Sequence, residues 1–216
     1  MIHQNSAVAP AAGFTCWDGY SGDSLASALT APVTECMEAA LIDGHQYSQL
    51  VFRPRLQGCL RLAVTTRSAY RHQVAKSFTA ALAARLELSE DLRDRIHTTV
   101  HEAIMNSILH GNLAVGSTLR NSLEELSVAH RTIDSLLEAP QIARQMIRVE
   151  AIWSTRRLYI LVRDSGAGFK RGEPKASSDM PDASQRSGRG MAILDAFCDH
   201  VSLQNGGSTI KLRFSL

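Results

Sequence analysis

The segment from Leu158 to Ile193 constrains the fold most. Leu158 to Arg163 reads as a strand, the second of a hairpin. It runs out into Asp164-Ser165-Gly166-Ala167-Gly168-Phe169. Lys170 to Ser187 is then dense in Gly, Pro, Ser, Asp and Lys and reads as a mobile loop. Regular structure resumes at Ser187-Gly188-Arg189-Gly190-Met191-Ala192-Ile193, where a glycine-rich turn opens a helix over Met191 to His200. An ionised Asp only accepts hydrogen bonds, so Asp164 at a strand end suits an exocyclic amine such as that of adenine. Gly166 and Gly168 let the backbone approach a ligand without a Cβ in the way. Free N–H groups at the helix start favour phosphate at Gly188 and Gly190. Arg189 adds charge there, as do Lys170, Arg171, Lys175 and Arg186 in the loop. Singly, each feature has a plainer explanation: a glycine turn leaving a strand, an ordinary loop-to-helix junction, solvated loop cations.

A second constellation precedes it. Ser89 is placed to cap a helix whose first turn holds Glu90 and Asp91, where the helix dipole favours acids. Leu92, Ile96, Val100, Ile104 and Ile108 form its apolar stripe, and Gly111 is placed to end it. Glu102, Asn106 and His110 recur at four-residue spacing on a roughly opposite face. The Asn106 amide oxygen suits a hard cation such as Mg²⁺. The Glu102 carboxylate suits orienting or deprotonating a nucleophile. A solvated polar face is the competing explanation.

The remainder supplies a scaffold. Cys59 to Thr66 reads as a strand and Ser68 to Leu86 as a helix with Val74, Phe78, Ala81, Leu82 and Leu86 on one face. Residues 117–138 read as a helix in which Leu119, Leu123, Leu126, His130, Ile133 and Leu137 make a heptad-like seam. That seam suits packing on its own domain or a partner or dimer surface. Met146 to Trp153 and Leu158 to Arg163 form a hairpin, and Val201 to Leu203 with Thr209 to Phe214 form another around Asn205-Gly206-Gly207. Residues 1 to about 30 lack periodicity and read as loose; Ala31 to Ile42 reads as a short helix and Tyr47 to Arg53 as a strand. Helices and an antiparallel-rich sheet segregate, which predicts an α+β fold, a two-layer sandwich with helices on one face of a mixed, mostly antiparallel sheet.

Composition narrows the function. The 216 residues carry a net charge of only +2, which excludes a strongly basic nucleic-acid arm or an acidic tail as the main theme. Direct nucleic-acid binding is not expected. Cys16, Cys36, Cys59 and Cys198 show no paired zinc-ligand spacing and read as reduced thiols of a cytoplasmic protein. The start MIHQNSAVAP is not a signal peptide, and no apolar run reaches the length of a membrane span.

In chain order, the polar helix, the Asp-x-Gly-x-Gly strand end, the loop and the Gly-x-Gly helix start resemble the GHKL ATPase superfamily, the ATP-binding (Bergerat) fold of gyrase, histidine kinases and related chaperones. Glu102 to Asn106 is similar to its N box, Asp164 to Phe169 to its DxGxGF box, and Gly188-Arg189-Gly190-Met191 to its later glycine box. Gly207-Ser208-Thr209 resembles the final Gly/Thr element. The resemblance spans roughly residues 57–216. Within the superfamily, Leu109-His110-Gly111-Asn112 resembles the anti-sigma-factor serine kinases, and Gly-Arg-Gly-Met-Ala-Ile lacks the doubled glycine pattern usual in histidine kinases.

The resemblance implies a regulatory serine/threonine kinase that uses ATP and Mg²⁺. Asp164 would hold the adenine amine with Thr209 nearby, and Gly166 and Gly168 would admit base and ribose. Asn106 would ligate Mg²⁺, Gly188, Arg189, Gly190 and Met191 would lie at the phosphates, and Glu102 would be the base. The implied partner is an anti-sigma-factor antagonist or a sigma-factor-like protein, and a homodimer fits the family. Two alternatives stay open: an ATP-gated binding module without phosphotransfer, and a histidine-kinase-like catalytic domain. His72 reads as an ordinary satisfied histidine. Residues 1–56 are expected to be an N-terminal extension, partly disordered, to a domain at 57–216, which carries a helical insert at about 114–145.

Overall fold

The computed structural model describes residues 13–42, 58–115, 123–168 and 189–216. Its centre is a seven-stranded sheet. The strands are β1 (Phe14–Trp17), β2 (Glu35–Glu38), β3 (Cys59–Thr65), β4 (Met146–Trp153), β5 (Arg157–Arg163), β6 (His200–Gln204) and β7 (Thr209–Ser215). Their order is β1-β2-β3-β4-β5-β7-β6. β1 to β2 and β2 to β3 are parallel, and the other pairings are antiparallel. This is the mixed, mostly antiparallel α+β sheet that the sequence pattern predicts.

Alternation sets the layers. Leu60, Leu62, Val64, Ile147, Val149, Ala151, Leu158, Ile160, Val162, Ile210, Leu212 and Phe214 point to one face and are buried. Above them lie α1 (Gly22–Ala28), α3 (Val74–Leu86), α4 (Glu90–Asn106) and α7 (Arg189–Phe197). Phe78, Leu82, Ile96, Val100, Ile104, Ile108 and Leu194 fill the core between the layers. Ser89 caps α4 as expected, its hydroxyl accepting from the Leu92 N–H.

Three local expectations are corrected. The predicted helix over Ala31–Ile42 is instead strand β2 followed by a 3-10 turn, Ala39–Leu41. Cys36 and Met37 are both fully buried, on opposite faces of the sheet, so this strand shows no alternation to read. Residues 14–41 are not loose: Trp17 anchors β1 in the core, and α1 carries a capping box on Ser21 and Ser24. The helix expected from Ser68 to Leu86 is two, α2 (Thr66–Arg71) and α3, parted at His72, whose backbone is extended. The Thr65 hydroxyl caps α2, and Glu38 braces that cap by accepting from the Thr65 N–H (2.7 Å) and the Ser68 hydroxyl (2.9 Å). The Tyr47–Arg53 strand and the Lys170–Ser187 loop lie outside the described residues.

The insert carries α5 (Leu123–Glu138) and α6 (Pro140–Ala143). Of the seam, Ile133 and Leu137 are buried and pack on their own domain, while His130 is exposed. The Arg67 guanidinium donates to the Leu137 carbonyl at the helix end, and the Tyr70 hydroxyl lies 2.9 Å from His130 Nδ1. Leu119 lies outside the described residues.

Candidate functional site

The site forms where the end of α4 meets the ends of β5 and β7. After Asn106 the helix widens into a π turn, Ser107–Asn112, so Gly111 is an internal residue of that turn and not a terminal cap. Such turns concentrate at functional sites because they re-aim side chains. Here the wide turn lays Gly111 against the Asp164 side chain. A Cβ on Gly111 would lie 2.6 Å from Asp164 Oδ2 and 2.7 Å from Oδ1. A Cβ on Gly166 would collide with the Gly111 carbonyl and lie 3.0 Å from Gly111 Cα. Two glycines therefore meet backbone to backbone beside one carboxylate.

Asp164 is buried. Its Oδ1 accepts the Gly166 N–H at 3.0 Å, and Oδ2 has no hydrogen-bond partner. Burial pushes the carboxyl up to about 6, against the Gly166 N–H, which favours the ionised form. The Ser107 hydroxyl, buried close by, also opposes the rise without making a well-formed hydrogen bond. A buried acceptor without a donor is costly, and a ligand N–H would relieve it.

Asn112 holds this strand end in place. Its Oδ1 accepts the Ser165 N–H at 2.8 Å, and its Nδ2 donates to Thr66 Oγ1 at 2.7 Å. Thr66 Oγ1 in turn donates to the Gln145 carbonyl, and Ser165 Oγ donates to the Met146 carbonyl. One buried amide thus ties α2, β4 and the Asp164 turn together. Sequence reasoning missed this role, although Asn112 stands directly after His110-Gly111.

Gly168 needs its glycine for two reasons: φ is +82°, and a Cβ there would lie 2.8 Å from the Ser208 N. The Asp164 N–H donates to the Ser208 carbonyl. Thr209 is close in the chain but faces the other way. It pairs with Arg163, and its buried hydroxyl accepts from Arg163 Nε at 3.2 Å and Asn205 Nδ2 at 3.1 Å. By strand alternation, Ser208 is the residue on the Asp164 side.

Glu102, Asn106 and Gly190 meet in a second cluster. A Cβ on Gly190 would run into Glu102 Oε1 and lie 3.1 and 3.2 Å from Asn106 Nδ2 and Oδ1. Asn106 is buried, so it lies at the edge of the apolar face, not opposite it; Nδ2 has no hydrogen-bond partner. Arg189 begins α7, and Met191 packs against the core. Gly188 lies outside the described residues. At the other end of α7, Arg95 donates to the Phe197 carbonyl at 3.1 Å. His72 is satisfied structurally: Nε2 lies 3.1 Å from the Gly19 carbonyl, and its ring meets Trp17 edge-on.

The donors present fit an adenine nucleotide with a divalent cation. Asp164 Oδ2, an acceptor, and Asn106 Nδ2, a donor, are buried polar atoms without partners at the two clusters, joined by one turn of helix. Among the described residues no three His, Cys, Asp or Glu side chains gather to hold a metal ion. Asn106 alone is too small a donor set for a resident ion, but it suits Mg²⁺ that arrives with phosphates as its other ligands.

A family model described as a histidine kinase-like ATPase domain matches residues 64–214. No curated protein matches the chain. No helix among the described residues is long and apolar enough to cross a membrane.

Proposed function

The chain belongs to the histidine kinase-like ATPase domain family, and from that premise we propose that it binds Mg·ATP and passes the γ-phosphoryl group to a serine or threonine of a regulatory partner protein. The observation that carries the reading is the buried, unpartnered Asp164 Oδ2. It accepts the adenine amine. Gly166 and Gly111, packed without side chains, let the Asp164 carboxylate and its turn seat against the π turn. Gly168 turns the chain away, and Thr209 serves indirectly by fixing Asn205 and Arg163 behind the site.

Asn106 would hold Mg²⁺ arriving with the nucleotide, and the ion would supply charge compensation for the phosphates. The start of α7, with Gly188, Arg189, Gly190 and Met191, presents N–H groups to the phosphates. Glu102 accepts a hydrogen bond from the acceptor hydroxyl and takes its proton as the oxygen attacks. Gly190 lets α7 approach Glu102 and Asn106 closely enough for both to reach one phosphate chain. Positioning and charge supply most of the catalysis, since phosphoryl transfer asks little covalent work of the protein.

We take residues 57–216 as the nucleotide-binding unit, residues 1–56 as an addition to it, and 114–145 as an insert. The partner resembles an anti-sigma-factor antagonist in this reading. The test uses ³²P-labelled ATP, the full chain and an extract of the source cells. Acid-stable label on a protein is expected with the wild type and is lost with Glu102→Ala, which still binds ATP. Acid-labile label would point to histidine transfer. No transfer, with partner binding still gated by ATP, would leave a binding module.

A further inference from the structure

The sheet face away from the helices is covered unevenly. At β2 and β3, Leu41 and Ile42 of the 3-10 turn pack onto Met37 and Ala63. Among the described elements, none of the helices lies over the same face of β4, β5, β7 and β6. Strand pairing arranges that face in three rows. One runs Arg61, Glu150, Leu161, Lys211, Ser202. The next runs Ala63, Arg148, Arg163, Thr209, Gln204, and the third runs Cys59, Ile152, Tyr159, Arg213, His200.

Charge divides along these rows. On the β3–β4 side, Glu150 pairs with Arg61 at 2.6 Å, and Glu35 feels both Arg61 and Arg148. On the β5–β7 side stand Arg157, Arg163, Lys211 and Arg213, and the alternation puts no acidic residue on that face of β5, β6 or β7. The acid at that end, Asp199, is taken by the Ser215 N–H and hydroxyl. Ile152, Leu161 and Tyr159 lie half-buried among the cations, with Lys211 Nζ 4.8 Å from the Tyr159 ring centre.

We propose that this face, over β5 and β7, docks an acidic, partly apolar segment of a partner protein. Charge complementarity identifies the occupant: four cations with no acidic side chain beside them on these strands, among the described residues, border apolar side chains that a matching segment would cover. Four cations are few for nucleic acid, whose binders typically neutralise about six to ten phosphates. They are few for a membrane as well, at about 1 kcal/mol per Lys or Arg near an anionic surface. Four strands of about seven residues offer a patch of about 19 by 23 Å, which suits a transient contact. The inference needs no phosphotransfer. It does link to the nucleotide site, because Arg163 precedes Asp164 and its Nε holds Thr209.

The test is amide NMR on the full chain with a synthetic 16-residue peptide of Glu, Asp, Leu and Phe. Its Lys-for-acid counterpart, a single-stranded oligonucleotide and phosphatidylglycerol vesicles serve as competitors. The acidic peptide is expected to shift Tyr159, Leu161, Lys211 and Arg213, and to bind about tenfold more weakly when salt rises well above physiological strength. Lys211→Glu/Arg213→Glu should weaken it at least tenfold while ATP-analogue binding stays; Lys211→Gln/Arg213→Gln serves if the reversal unfolds the chain. Absence of shifts on this face, or affinity untouched by both double variants, overturns the proposal. So does tighter binding of the oligonucleotide or vesicles there, or shifts that follow protein concentration without peptide and mark a second copy.

Discussion

Asp164→Asn separates stability from function in a way that few structural substitutions would. The wild-type carboxyl titrates near 6 in the folded protein, against 3.8 for an ordinary Asp. The folded state thus holds a proton that the unfolded chain has released, and stability falls as pH rises from about 4 to about 6. The shift corresponds to about 3 kcal/mol, at about 1.4 kcal/mol per unit, fully present above pH 6. Asparagine has no charge to desolvate. Urea unfolding of both proteins from pH 4 to 7.5 should therefore show the variant gaining about 3 kcal/mol on the wild type across that interval. A constant offset from the new amide would shift the whole curve without changing its shape. Nucleotide affinity should fall strongly in the same variant. A stability difference independent of pH would refute the claim that Asp164 is held desolvated, and with it the reason the residue awaits a donor.

Three further outcomes follow from the geometry. ATP should bind at least about 10²-fold more tightly than GTP, whose exocyclic carbonyl oxygen would face the Asp164 acceptor, as competition titration would show. Gly111→Ala places a methyl on the Asp164 carboxylate, so calorimetry should show nucleotide binding lost, with about 1–3 kcal/mol of stability lost in denaturant melts. Asn112→Ala leaves the Ser165 N–H and Thr66 hydroxyl without their partner. It should cost about 1–3 kcal/mol in melts and weaken ATP binding, though Asn112 need not touch the nucleotide.

The parts of the fold that were legible in the sequence are those with one buried face. β7 alternates cleanly and β4 nearly so, with Ile147, Val149 and Ala151 on one face around Arg148 and Glu150, and α4 announces its start through Ser89, Glu90 and Asp91. β2 was not legible, because it buries Cys36 and Met37 on opposite faces, and periodicity vanishes when both sides are covered. β1 is four residues long, and only Trp17 signals its burial. The break at His72 has no Gly or Pro to mark it; it depends on contacts with Gly19 and Trp17 more than fifty positions away. At the site, four-residue spacing put Glu102 and Asn106 together and the Asp-x-Gly order put Asp164 beside Gly166, whereas the approach of Gly190 to Glu102 and Asn106 is a tertiary contact that no spacing encodes. The outward turn of Thr209 and the bracing role of Asn112 depend on strand register and on a π turn, neither of which local pattern encodes.

The central claim is a nucleotide site that joins Asp164 to Asn106. Its most direct test is a titration of the full chain with a fluorescent ATP analogue, with and without Mg²⁺, for the wild type, Asp164→Asn and Asn106→Ala. The account predicts Mg²⁺-dependent binding by the wild type, little binding by Asp164→Asn at any Mg²⁺ concentration, and binding by Asn106→Ala that no longer responds to Mg²⁺. Wild-type affinity in the folded Asp164→Asn variant, or full Mg²⁺ dependence in Asn106→Ala, would contradict it.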